Sequence, residues 1–182
     1  MRAGPIVRLA DDCYSPRMSS PSAHDPHENA IHAVSRLCGA LPQQAFDLLT
    51  TAQGMARWNL GLWHTQEVEP GLFSGHSLFG GGRGWVRVRS DRAAGRVEYL
   101  VGSEPQRLVA RIEARVHDSV DLGHPPGGCL VSLMAWRTAD MEEDRWRRLI
   151  TTHETEIELI RSLLDGRAFD ALPGPRSDAS RR

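Results

Sequence analysis

Lysine is absent from the chain: all 22 basic residues are arginine. That excludes Schiff-base chemistry on a lysine amine and the phosphate-binding lysine of a P-loop. The three cysteines, Cys13, Cys38 and Cys129, are odd in number and far apart, with no Cys-x-x-Cys or zinc-knuckle spacing. Reduced thiols in a cytoplasmic setting are therefore the expectation. Neither sign of charge is in excess. A formal net charge of −1 points to no nucleic-acid partner and no anionic membrane surface. The N-terminus lacks the apolar core of a signal peptide. The longest apolar stretch, around Cys129 to Trp136, is far too short to span a bilayer, so no membrane insertion is expected. There is no Gly-x-Ser-x-Gly elbow and no internal repeat. What remains is ordinary for one globular domain: 182 residues, 40% apolar and 25% charged.

Residues 1–28 are rich in Ser, Pro, Asp and His without periodicity and read as a disordered leader. Met18 is a second candidate start. Residues 168–182, with two prolines and no apolar stripe, read as a tail, which leaves 29–167 as the folded domain. Ile31–Cys38 reads as a strand. Pro42 opens a short helix through Leu49. A second short helix, Ala52 to Trp58, is separated from it by Gly54 or by the Thr pair before it. Five strands follow, each ended by a turn signal: Leu62–Glu67, Leu72–Phe79, Trp85–Arg89, Arg96–Val101 and Leu108–Val116. Cys129–Arg137 is a further strand and leads into a long helix. Asp140 offers that helix an N-cap, with Glu143 at capping-box spacing. Met141 to Asp165 holds neither Pro nor Gly, and Gly166 supplies the stop. Trp146, Leu149, Ile150, Ile157, Ile160 and Leu164 share one face of it, with His153 at the centre.

Six consecutive strands with short connections imply an antiparallel meander. In the Ser90–Gly95 hairpin, setting Arg89 opposite Arg96 puts Arg87 opposite Glu98 on the wet face. Val86, Val88, Val97 and Tyr99 then share the inner face. In the next strand Ala110, Ile112 and Ala114 alternate with Arg111, Glu113 and Arg115, so small side chains face inward. A long helix laid over small residues leaves space, and space in a curved sheet is a cavity.

This element order resembles the helix-grip fold of the START-like superfamily, often called SRPBCC. The likeness is carried by Ala40-Leu41-Pro42-Gln43-Gln44-Ala45-Phe46-Asp47-Leu48-Leu49 with Met55-Ala56-Arg57-Trp58, by the central hairpins from Leu78 to Tyr99, and by the terminal helix. It implies an α+β fold: a seven-stranded antiparallel sheet wrapped around a long C-terminal helix, with two short helices after the first strand. The superfamily includes polyketide cyclases, lipid carriers and pathogenesis-related plant proteins. Its members mostly enclose an apolar ligand between sheet and helix.

His153 is the sharpest chemical candidate, because a polar imidazole in mid-stripe needs a partner, a water or a ligand. Glu156 lies at the stripe's edge, placed either to partner His153 or to face solvent. Tyr99 points inward. Arg137 is placed either to hold an anionic ligand group or to pair with Glu142 or Glu143. The expected ligand-binding set is Val97, Tyr99, Ile112, Arg137, His153 and Ile157. Trp58, Trp63, Trp85, Trp136 and Trp146 are candidate pocket walls or plain packing. The glycine run Gly80 to Gly84 joins two strands and opens no helix, so it reads as a hairpin and not as a phosphate loop. His117, Asp121, His124 and Cys129 fall in or beside one loop but match no zinc spacing. No metal and no cofactor are expected. The leading reading is a carrier or sensor, monomeric or weakly dimeric, for a small hydrophobic or aromatic molecule. The alternatives are a polyketide cyclase or aromatase-type enzyme with His153 as acid/base, and a non-catalytic protein-interaction module.

Overall fold

The computed structural model describes residues 30–78 and 81–166. The leader expected over 1–28 and the tail expected over 168–182 lie outside the described residues. Strand β1 (Ile31–Cys38) is followed by helices α1 (Pro42–Thr50) and α2 (Ala52–Met55), then by a 3-10 turn at Leu60–Leu62. Strands β2 (Trp63–Glu69), β3 (Leu72–His76), β4 (Arg83–Asp91), β5 (Arg96–Gly102), β6 (Val109–Asp118) and β7 (Cys129–Trp136) lead into α3 (Glu143–Leu164). The strands form one antiparallel seven-stranded sheet in the order β1-β7-β6-β5-β4-β3-β2. The expected architecture is the one observed. The first strand pairs with the last, which leaves β1 and β2 as the two edges of the sheet and packs α3 against β1 and β7.

The core lies between sheet and helices. Val97, Ala114, Val131 and Leu133 come from the sheet, Phe46 and Leu49 from α1, and Ile157 and Ile160 from α3. A smaller cluster of Ala135, Met141 and Trp146 anchors the start of α3. That cluster explains one correction. The expected Asp140 capping box does not form: α3 starts at Glu143, and Glu142 at its N-cap makes no side-chain cap bond. Met141 is instead buried outside the helix, and its carbonyl accepts from Arg137 Nε and Nη2 at 3.3 and 3.2 Å.

Of the two breaks expected between α1 and α2, the Thr pair is the one observed, and α2 ends at Met55 rather than at Trp58. The break falls at Thr51, which is extended at φ −96° and ψ 151°, and its hydroxyl accepts from the Gly54 N–H at 3.1 Å. Gly54 sits inside α2 and packs against the backbone of Leu48.

The β4–β5 hairpin keeps the expected faces with the pairing slipped by two residues: Arg89, not Arg87, stands opposite Glu98. A two-residue slip preserves side-chain facing, so the hydrophobic pattern does not discriminate between the registers. Arg89 Nη1 lies 3.6 Å from Glu98 Oε2, with the arginine side chain 64% exposed. Arg89→Ala should therefore change stability by at most about 1 kcal/mol. Urea unfolding at low and high salt checks this, and any loss should shrink as salt screens the pair.

In β6 the alternation fails at one point. Tyr99 pairs with Ile112 and Leu100 with Ala110, which leaves Arg111 as a surplus, bulged residue. Arg111, expected on the wet face, is turned towards the covered one. Cys38 and Cys129, distant in sequence, face each other across β1 and β7, both buried and both free.

Candidate functional site

Between the sheet and α3 lies a cavity of about 380 Å³. Its apolar walls are Leu62 and Trp58 from the segment after α2, Val86 of β4, Tyr99 and Val101 of β5, Ile112 of β6 and Leu133 of β7. Helix α3 contributes Leu149, Thr152, His153 and Glu156. The exposed lining residues mark the mouth: Gly82 and Arg83 in the β3–β4 hairpin, Ser103 after β5, and Arg145 and Arg148 in the first turns of α3.

Two cavity aromatics are fixed by the end of α1. The last carbonyls of a helix have no intrahelical donor. Here Trp58 Nε1 donates to the Leu48 carbonyl at 3.1 Å, and the Tyr99 hydroxyl donates to the Leu49 carbonyl at 2.9 Å. The two rings meet edge to face with centroids 6.3 Å apart. Burial, together with the nearby Glu156, pushes the Tyr99 hydroxyl well above its ordinary range. Tyr99 thus holds the wall in place as a neutral phenol.

His153 is 3% exposed, and its Nδ1 is buried with no hydrogen-bond partner among the described residues. Burial, with the His32 ring 6.1 Å away, depresses its pKa to about 4. The imidazole is therefore neutral at physiological pH. Glu156, one turn further along α3, is 4% exposed. Its Oε1 accepts from the N–H groups of Leu60 and Gly61 at 2.8 and 3.3 Å. Desolvation pushes this carboxyl up to about 8, against those two bonds. Near pH 7 Glu156 is mostly a neutral acid. With Oε1 taken up by two donors, the proton belongs on the other oxygen.

Of the six residues expected at a ligand site, Tyr99, Ile112 and His153 line the cavity. Val97 and Ile157 are fully buried in the core and do not line it. Arg137 lies away from it: Nη1 pairs with Glu143 Oε2 at 2.6 Å, the structural alternative weighed for it. Glu156 faces inward without touching His153. Trp58 and Trp85 line the cavity, Trp146 is core, and Trp63 and Trp136 are partly exposed. Among the described residues no cluster of His, Cys, Asp and Glu could hold a metal ion. No helix of the described residues is long and apolar enough to cross a membrane.

The inward role of Glu156 was legible only as a position three residues from His153. Arg111, Arg145 and Arg148 gave no sequence signal, because the bulge and the helix–sheet gap that bring them together are tertiary features.

No family model matches the chain, and no curated protein matches it in sequence. Solved structures do match in fold. The di-domain ARO/CYC BexL from the BE-7585A biosynthetic pathway aligns with 72% of this chain and 45% of its own at TM-score 0.56 and 16% identity. The Aha1 dimer from Colwellia psychrerythraea aligns with 74% of this chain and 96% of its own at TM-score 0.56 and 13% identity. A START superfamily protein from Mycobacterium smegmatis aligns with 75% of this chain and 95% of its own at TM-score 0.50 and 9% identity. At these identities the shared property is the helix-grip fold.

Proposed function

We propose that this chain binds one small apolar or aromatic molecule in the cavity between sheet and α3, as a carrier or sensor. The observation that carries this reading is the cavity itself. It has apolar walls and a volume of about 380 Å³, and the neutral imidazole of His153 is one of its lining groups. Pockets of this size suit one drug-sized molecule. Apolar burial supplies the affinity, while the His153 imidazole and the Glu156 carboxyl orient the ligand's polar atoms. Buried, free thiols fit the cytoplasmic setting expected for it.

The ARO/CYC neighbour makes an enzyme the second reading, and Glu156 is the observation that favours it over His153. A neutral acid with a pKa of about 8 in a cavity is suited to proton transfer. Against it, the Tyr99 hydroxyl is committed to Leu49 and His153 touches no carboxylate. No second proton-transfer group is therefore paired with Glu156, and binding is the better-supported reading.

The test is fluorescence titration with the neutral probe N-phenyl-1-naphthylamine. Saturable one-to-one binding is expected, and it should be lost in Ile112→Trp, where the indole occupies the cavity. Binding that persists unchanged in that variant, or no binding to the parent, would overturn the reading. His153→Leu should hold or raise stability by about 1–3 kcal/mol, because a buried polar group without a partner is removed. Urea unfolding of the variant reads this directly.

A further inference from the structure

We infer that the ligand of this cavity carries a compact anionic group, a carboxylate or its equivalent, which Arg111 seats at the mouth with Arg145 and Arg148 beside it. The inference rests on the binding reading above and names the class of molecule bound: a free, single-headed acid with an apolar body.

Arg111 reaches the cavity only because of the β6 bulge. Regular alternation would leave it on the wet face with Glu113 and Arg115. Once turned inward, its guanidinium finds no ion pair among the described residues, and its buried Nε has no hydrogen-bond partner. Burial and the neighbouring Arg145 both disfavour its charge. Asp140 is the acidic group whose field offsets this, but that carboxylate is exposed and engaged by Thr138. A partly buried cation beside a second cation, without a bonded carboxylate, is an unfavourable arrangement for the free protein. A bound anion reverses it, because a guanidinium presents a rigid fork of donors to a carboxylate.

Among the described residues, several arginines elsewhere hold carboxylates, which the mouth arginines do not. Arg92 holds Asp47 at 2.8 Å, and Arg147, between Arg145 and Arg148 on the same helix, holds Glu143 at 3.0 Å. Arg145 and Arg148 face the cavity and make no ion pair among the described residues. The inner end of the cavity offers only neutral polar groups, His153 and Glu156. Cationic at the mouth, apolar along the walls and neutral-polar within, the cavity matches an amphipathic acid. Its volume of about 380 Å³ is at the small end for one drug-sized ligand, which favours a free acid over a two-chain lipid.

The test compares two probes with one ring skeleton: N-phenyl-1-naphthylamine, and 8-anilinonaphthalene-1-sulfonate, which adds a sulfonate. The sulfonate probe should bind about tenfold or more tightly at low salt, the size of a charge-assisted hydrogen bond, and the advantage should shrink at high salt. Arg111→Gln should remove most of that advantage and leave the neutral probe's affinity within about twofold, well inside that range. Removing an unpaired, half-buried cation should not lower the melting temperature. Should that variant fail to fold, the exposed pair Arg145→Gln/Arg148→Gln should give the same selective loss at smaller size. Equal affinity of the two probes, equal losses for both in Arg111→Gln, or sulfonate binding that survives Ile112→Trp would each overturn the proposal. If neither probe binds the parent protein, the cavity-binding reading fails and takes this proposal with it. If only the neutral probe binds, the cavity reading stands and the anion site falls.

Discussion

Stability should stay nearly level from about pH 4.5 to 6.5 and then fall by about 1–2 kcal/mol towards pH 8, a profile set by two buried groups on one helix. Glu156 has a folded pKa of about 8 against an ordinary 4.5. Between those values the unfolded chain holds fewer protons at this site than the native one, so stability falls as pH rises. His153 has a folded pKa of about 4 against 6.5. Between those values the unfolded chain holds more protons, so stability rises with pH. The windows overlap from 4.5 to 6.5, where the slopes cancel, and only Glu156 titrates above it. Glu156→Gln keeps an acceptor for the Leu60 and Gly61 N–H groups and removes the titration. Its stability should climb by about 2 kcal/mol from pH 4.5 to 6.5 and then level off. His153→Leu should instead decline across the whole range. Urea denaturation of the three proteins, read as differences from the parent, cancels the contribution of surface carboxylates. A parent curve that rises between pH 6.5 and 8, or a Glu156→Gln curve parallel to it, would mean that Glu156 is ionised in the folded protein.

Gly54→Ala should destabilise the protein by about 3 kcal/mol or more, a fall of roughly 6–12 °C in melting temperature. A Cβ at this position would lie 2.3 Å from the Leu48 carbonyl oxygen and 2.8 Å from the adjoining backbone carbons. These are helix backbone atoms, so no side chain can swing aside. The same carbonyl accepts the Trp58 indole N–H, so displacing it should also disturb a cavity wall. Loss of probe affinity in the folded fraction is therefore expected together with the fall in stability. Gly82→Ala is the control, since nothing lies within 4 Å of a Cβ built there and its φ is ordinary. A Gly54→Ala protein that melts like the parent would show that α1 and α2 can separate at little cost, and that Trp58 is not held by them.

The cysteines show how far a linear reading extends. Spacing along the chain predicts separate reduced thiols, and both described thiols are free. Yet Cys38 and Cys129 are cross-strand neighbours, because β1 pairs with β7. A strand's sequence states which residues share a face but does not name its partner strand. The helix α3 shows the same limit in another form. Its stripe placed His153 and Ile157 correctly towards the sheet. Whether each meets a cavity or solid core depends on what lies opposite, and His153 meets the former and Ile157 the latter.

Apolar periodicity and turn residues alone determined the element order, the antiparallel meander, the covered faces of β4 and β5 and the inward face of α3. Those are local properties, repeated every two or 3.6 residues, and each segment carries them independently of the rest. Tertiary structure decided the rest: the two-residue slip of β4 against β5, the start of α3 behind a buried Met141, and the neutral Glu156 held by the Leu60 turn. It also decided the bulge that carries Arg111 to the mouth. A two-residue slip leaves every face unchanged, and a single bulged residue leaves no mark in the alternation around it. A carboxyl is kept neutral by the water that packing removes, which no pattern along the chain records.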